Sequence, residues 1–529
     1  MKLHVLDTTL RDGAQSEAVS FSIPDKIKIV RLLDELGIDL IEAGNPFSNV
    51  KDRELFREIA NYPLKHAKLV AFGSTRKVGI SAAEDAALDA LLGAGTEYVS
   101  IFGKGWDLHV SEVLHTTLEE NLAMIGDTVS YAVSKGKKVI FDAEHFFDGY
   151  KNNRDYALDV IRTADKAGAS VICLCDTNGG TFPDEIAEIT RAAVETVDCE
   201  VGIHTHNDSG MAVGAAVMGV LAGATHVQGT LNGIGERCGN ANLATIIANL
   251  QLKRDYEILT PAQLESLTSV CRGVAEITNI SISGMPYVSK GAFSHKGGMH
   301  IDAVMKLPQT FEHIDPAVVG NERTLLVSEV AGKSALMPLL SRIDPSIDRN
   351  SPKIKDIVAR MKELEYNGYQ FEAAEASLEL EIRRVLGLTK HFFDIERFRA
   401  MTEKDGLSDD ALVGYSSTFV KVQVEGESEI TAADSSDGPV NALDKALRKA
   451  LKRFYPNLSG MRLVDYKVRV LDQSAATGAR VRVLVESTDG RDSWTTVGVS
   501  TDIIMASHKA LVDSIEYKLL KDKKKYSKR

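Results

Sequence analysis

The chain has 529 residues, 44% of them hydrophobic, and a formal net charge of −12. That length exceeds one ordinary core and implies two or three domains, and the acidic balance excludes a broad basic surface for nucleic acid. No signal peptide is read before the first strand-like run, and no apolar run approaches the ~20 residues that span a bilayer. The five cysteines, Cys173, Cys175, Cys199, Cys238 and Cys271, are few and odd in number. A reduced, cytoplasmic protein with no membrane or nucleic-acid partner is therefore expected.

In chain order, apolar runs of strand length fall at 3–10, 37–43, 68–73, 98–103, 137–144, 170–176, 200–206 and 226–232. Between them, apolar residues recur at three- and four-residue spacing, as in 26–36 and 118–133, which predicts helices. Pro24 after Ser22, Pro183 and Asp184 after Thr181, and Ser81 before Ala82 read as helix starts. Gly37, Gly168 and Gly223 read as helix stops. Eight such units in about 250 residues predict an α/β fold, a (β/α)8 TIM barrel. A doubly wound open sheet is the alternative, but it seldom runs to eight such even units.

In a barrel, functional groups sit where strands end. The polar residues cluster there: Arg11 and Asp12, Glu42 and Asn45, Asp142 and Glu144, Asp176 and Thr177, then His204, His206 and Asn207. Residues i and i+2 of a strand share a face, so His204 and His206 can aim at one point. Asp12 from a second strand end completes a set that holds a divalent metal and leaves positions open for substrate. Mn²⁺, Zn²⁺ and Mg²⁺ all remain open. Arg11, beside Asp12, either adds positive charge near a reacting oxygen or makes a barrel-end salt bridge. Cys173 and Cys175 share a strand face without a second zinc-spaced pair and are expected to pack the core.

Beyond the barrel, 252–285 reads as helical and breaks at 283–286; a glycine-bearing segment with His295 and His300 follows. Several helices with charged faces are expected within 316–400, including 353–365 and 373–386. Alternating strands return around Val420, Val468 and Val481, and this last part carries an internal repeat, each copy a few strands and one amphipathic helix, 439–454 and 502–520. The expected domains are a barrel over 1–270, helical linker subdomains over 271–405, and a duplicated α+β regulatory or dimerisation domain over 406–529.

Three ordered motifs then carry a resemblance: Leu6 to Gly13, His204 to Asp208, and Gly233 to Asn240. They are similar to the signatures of the metal-dependent acyl-CoA Claisen synthases and lyases, the family of 2-isopropylmalate and homocitrate synthases. The duplicated tail resembles that family's regulatory domain. Ala14 and Gln15 after Gly13, Cys238, and the segments 293–300 and 311–316 are most similar to its long-form (R)-citramalate synthases. The resemblance implies condensation of pyruvate with acetyl-CoA and water, an entry step to isoleucine, with 2-oxoisovalerate in place of pyruvate as the nearest rival. A lyase such as hydroxymethylglutaryl-CoA lyase would lack the duplicated tail.

The resemblance also implies Asn240 as a further metal ligand and Thr177 as a hydrogen-bond partner of the keto-acid carboxylate, a helix-starting hydroxyl being its alternative. It implies His300 as base for the acetyl methyl group, assisted by Glu144. Phe311 stands where relatives often carry tyrosine and can neither give nor take a proton. Gly233, Gly235 and Gly239 read either as a phosphate cradle or as a tight turn. A homodimer and an amino-acid effector, isoleucine, are the implied partners.

Overall fold

The computed structural model of the chain describes residues 2–17, 19–325, 333–348, 351–403, 415–471, 478–490 and 492–526. It divides into two compact units, residues 1–294 with 313–324, and residues 295–312 with 325–529. The boundary expected at 405/406 lies outside the described residues.

The first unit is built on eight strands: β1 (His4–Asp7), β2 (Leu40–Gly44), β3 (Lys68–Ser74), β4 (Tyr98–Lys104), β5 (Lys138–Glu144), β6 (Val171–Asp176), β7 (Glu200–Thr205) and β8 (His226–Gly229). They close as a barrel in chain order. β8 returns parallel to β1, with His4 opposite His226 and Asp7 opposite Gly229. The closure is tied by Asp7, whose buried carboxylate accepts from the backbone N–H groups of Thr9 and Leu231 at 2.9 and 3.0 Å. Burial pushes its pKa up to about 7 against those hydrogen bonds.

Sequence chemistry explains the helix ends. Ser22 Oγ accepts from the Asp25 N–H while the Asp25 carboxylate accepts from the Ser22 N–H, with Pro24 in the first turn of Ile23–Leu36. Gly37, at φ 93°, stops that helix. The helix expected after Thr181 does start at Pro183, running to Val194; its N-cap residue is Phe182, whose N–H donates to the Glu185 carboxylate, and Thr181 donates its hydroxyl to Asp176. The runs expected at 3–10 and 226–232 both end early. After Asp7 the chain turns, and Thr8 O accepts from the N–H groups of Arg11, Asp12 and Gly13. Leu10 is fully buried within that turn, so hydropathy alone could not tell it from strand.

Leu6, Leu40, Val70, Ile140, Val171, Cys173 and Cys175 form one cluster, distinct from the large core between strands and helices. They occupy alternate positions of five strands, with Tyr98 of β4 packed against them, which identifies them as the barrel lumen. The same parity carries upward to Glu42, Phe72, Phe102, Asp142, Glu144, His204 and Gln228, and downward to His226.

In the second unit, three-stranded antiparallel sheets recur: Asp394–Glu403, Tyr415–Val424 and Glu427–Ser435, then Arg462–Val470, Val481–Thr488 and Ser493–Ser500. Each is followed by a helix, Pro439–Lys452 or Ile503–Tyr526. The first helix buries Leu443, Ala446, Leu447, Ala450 and Leu451, and the second Ala506, Ala510, Leu511 and Ile515, in a core shared by both copies. Asp394–Glu403 overlaps the end of the 316–400 stretch, in which several helices are expected. Its alternating charged residues are mostly exposed, so it lacks the apolar period of a buried strand. Among the described residues, no helix is long and apolar enough to cross a membrane.

His226 is fully buried, and among the described residues neither ring nitrogen has a hydrogen-bond partner. Burial, then the nearby His4, lowers its pKa from 6.5 to about 3. The folded state therefore holds this ring neutral while the unfolded state takes up a proton below pH 6.5. Stability is present above that pH and is lost as pH falls toward 3, by on the order of 4 kcal/mol. His226→Leu should accordingly narrow the fall in Tm between pH 7 and pH 4.5. Parallel Tm curves for the two proteins would remove His226 as the cause.

Candidate active site

β7 delivers His204 and His206 to one face of the lumen, with their Nε2 atoms 3.3 Å apart. The turn after β1 brings Asp12 Oδ2 to 3.2 Å from His204 Nε2 and 3.9 Å from His206 Nε2. All three residues are buried, and their ligating atoms lie within 4.8 Å of one another. Asn240 arrives by a different route. An isolated bridge pairs it with His206, and Asn207 N–H donates to Gly239 O while Ala241 N–H donates to Thr205 O. Its Nδ2 donates to Asp12 Oδ2 at 2.7 Å and approaches His204 Nε2 at 3.2 Å.

These residues fit a divalent metal ion. His204 Nδ1 faces Gln228 Oε1 at 3.1 Å and must donate to it, which aims Nε2 at the cluster; burial lowers the pKa of this ring but Asp12 outweighs it and raises it, and a bound cation would take the place of the Nε2 proton. Asn240 Oδ1 is buried without a hydrogen-bond partner among the described residues, an unused oxygen beside a carboxylate and two imidazoles. Burial works against ionisation of Asp12, but Arg11, then His204, outweigh it and hold the pKa far below the usual carboxylate range. For His206, burial and the neighbouring His204 lower the pKa to about 4, so it is a neutral imidazole at pH 7.

Arg11 both makes a salt bridge and faces the cavity. Its Nε lies 2.5 Å from Glu42 and its Nη1 3.1 Å from Asp12, and its guanidinium sits 4.0 Å over the Phe72 ring. Phe102 stacks behind Phe72 at 5.3 Å. Burial alone would lower the Arg11 pKa, but Asp12 and Glu42 outweigh it and raise it. The group is a fixed cation in a low-dielectric wall.

Beneath the metal-binding set runs a polar chain. Gln228 Nε2 donates to Asp142 Oδ1 at 2.9 Å and Ser100 Oγ donates to Asp142 Oδ2 at 2.9 Å. Asp142 also lies within ligating distance of Cys173 and Cys175. Both its oxygens are already used, and burial holds the Cys173 thiol well up; the two cysteines pack in the lumen cluster, with Cys175 also bordering the cavity.

The cavity is further lined by Glu144 and Thr177. Glu144 pairs with Lys104 from the end of β4. The Thr177 hydroxyl accepts from the His145 N–H at 2.9 Å, with His145 at φ 57°. It caps no helix. The glycines after β8 are a tight turn: a Cβ on Gly239 would meet Gly233 O at 2.2 Å, and one on Gly235 would meet Asn240 Oδ1 at 1.9 Å. Arg237 pins this loop through a two-pronged contact to Asp208, both distances 2.8 Å, and donates to Thr177 O at 2.7 Å.

The structure thus gathers Arg11, Asp12, Glu144, Thr177, His204, His206 and Asn240. His300 belongs to the second unit, exposed on the helix Gly298–Lys306 and stacked on Phe311 with ring centroids 4.0 Å apart. Sequence reasoning gave no role to Gln228, Ser100, Lys104 or Arg237. Gln228 had one legible signal: a polar residue at lumen parity, two positions from His226.

This geometry defines a metal-binding (β/α)8 barrel with a cationic, aromatic-backed wall beside the metal set. The HMGL-like family model matches residues 2–274, the homocitrate synthase post-HMGL domain-like model 287–368, and the LeuA allosteric (dimerisation) domain model 372–519. The chain belongs to the HMGL-like family. It is 53% identical to an (R)-citramalate synthase of Aquifex aeolicus, with 98% of each chain covered. A Synechocystis (R)-citramalate synthase is 49% identical, covering 98% of this chain and 96% of the relative. One from Sulfolobus acidocaldarius is 47% identical, covering 98% and 97%.

Gln228→Leu should leave the barrel folded but free the His204 ring to turn. A 10–100-fold weaker Mn²⁺ dissociation constant is expected, measured by titration of the purified protein. Unchanged affinity would show that Gln228 does not hold the ligand.

Proposed function

We propose that this chain condenses pyruvate with acetyl-CoA and water to give (R)-citramalate and CoA. The observation that carries this is similarity over almost the whole chain to proteins named (R)-citramalate synthase, together with a metal-binding set at the family's motif positions. Asp12, His204, His206 and Asn240 would hold the ion, Mn²⁺, Mg²⁺ or Zn²⁺. When bound, it acts as a Lewis acid on the keto oxygen.

The remaining steps fall to the chain. Arg11, kept cationic by Asp12 and Glu42, stabilises the negative charge that grows on the keto oxygen as its carbon is attacked. The Thr177 hydroxyl already accepts from His145 N–H, so its proton is free to be donated to the substrate carboxylate. The acetyl methyl group must lose a proton before its carbon can attack. His300 is the base in this reading, and Glu144, held by Lys104, receives or relays protons and orients the water that cleaves the thioester. Phe311 supplies a stacking face for His300 where a hydroxyl is lacking.

We assign residues 1–270 to catalysis, 271 onward to the linker that carries His300, and the C-terminal part to regulation and dimerisation, its start moved ahead of Asp394 because the strand Asp394–Glu403 pairs with Tyr415–Val424. The match to an allosteric dimerisation model supports a homodimer with an amino-acid effector, isoleucine for this product. A cytoplasmic setting agrees with five free cysteines.

A CoA-release assay with acetyl-CoA and a panel of 2-oxo acids, with and without isoleucine, tests the reading. Pyruvate should be preferred, and Asp12→Asn should lower kcat about a hundredfold or more. Preference for 2-oxoisovalerate would transfer the assignment to 2-isopropylmalate formation. Separately, His300→Ala should keep Mn²⁺ binding while proton exchange from acetyl-CoA slows about 10²–10⁴-fold. Wild-type exchange in that variant would remove His300 from the chemistry.

A further inference from the structure

The geometry points to Lys26 as a positioning residue for the metal set and its arginine, resting on the metal reading above. Lys26 lies in the first turn of the helix Ile23–Leu36, outside the strands, yet it is only 4% exposed. Its ammonium donates to Leu10 O at 3.0 Å, Ala43 O at 3.3 Å and Asp52 Oδ1 at 2.5 Å. Three donors meet three acceptors, so the group is fully used.

What it holds is specific. Leu10 is the residue directly before Arg11 and Asp12, at the tip of the turn gathered on Thr8 O. Ala43 directly follows Glu42, at a register shift between β2 and β3, where the ladder leaves it without a partner. One ammonium therefore fastens the two strand ends whose side chains, Arg11 and Glu42, meet at 2.5 Å. Asp52 completes the clamp by accepting from the Asn45 N–H at 2.9 Å. Its carboxylate occupies the place where a Cβ on Gly44 would stand, 2.3 Å away, and Gly44 has φ 139°, which admits glycine readily. Nothing in this clamp touches the cavity. It acts by setting where Asp12 and Arg11 stand against Glu42, and a displacement of even 1 Å there weakens ligation and charge placement together.

Lys26→Met alone would strand the buried Asp52 charge, so the test uses pairs. In the full-length protein, Mn²⁺ affinity is read from free Mn²⁺ by electron paramagnetic resonance, beside thermal melting and kcat and KM for pyruvate. Asp52→Asn, which leaves both carbonyl bonds, should keep affinity within about twofold. Lys26→Met with Asp52→Asn should melt cooperatively, bind Mn²⁺ 10–100-fold more weakly and lose kcat. If that pair fails to fold, Lys26→Gln with Asp52→Asn, whose amide can still reach a carbonyl, should fold with intermediate affinity. A folded Lys26 variant with wild-type Mn²⁺ affinity and kcat overturns the proposal, as does an equal loss in Asp52→Asn alone. Wild-type protein that binds no Mn²⁺ would instead overturn the metal reading, and that result is seen before any substitution is made.

Discussion

Closure of β1 onto β8 is the constraint on which the rest of the site depends. His4 through Asp7 pair with His226 through Gly229, and the Asp7 carboxylate reaches across to the Leu231 N–H. Without that seam, Asp12 and Asn240, separated by 228 positions in the chain, could not meet at 2.7 Å. Parallel strands in a closed sheet send every C-terminal end to one rim, so the polar strand ends converge by topology rather than by local sequence.

Around this seam the charges are arranged in opposition. Arg11 is a buried cation facing two carboxylates, Asp12 and Glu42, while Asp142 lies within reach of its field. Burial pushes Glu42 and Asp142 up, and Arg11 counters both. Asp12 alone is driven strongly down, because Arg11 and His204 both bear on it. The result is a firmly ionised Asp12 beside a neutral His206, donors that suit a divalent cation. The chain from Ser100 through Asp142 and Gln228 to His204 fixes which imidazole nitrogen faces inward.

Much of this was legible in the residues themselves. The strand period located all eight barrel strands, and the i, i+2 spacing of His204 and His206 put both rings on one face, because side-chain direction in a strand follows position parity. Thr177 was less legible: its hydroxyl could have started a helix, and only the fold shows it meeting the His145 N–H instead. The glycines at 233, 235 and 239 were ambiguous for the same reason. Their need is set by the loop folding against Asn240, a contact no local pattern encodes.

The sequence by itself determined the eight barrel units, the shared face of His204 and His206 and the duplicated strands and helix of the C-terminal part, since each rests on local periodicity or fixed spacing. Tertiary structure decided what those residues lean on. Glu42 rather than Glu144 pairs with Arg11, Lys104 pairs with Glu144, and Lys26 from a helix holds the ends of two strands. Those partnerships join residues whose separation in the chain carries no periodic signal, and only the closing of the sheet brings them within reach.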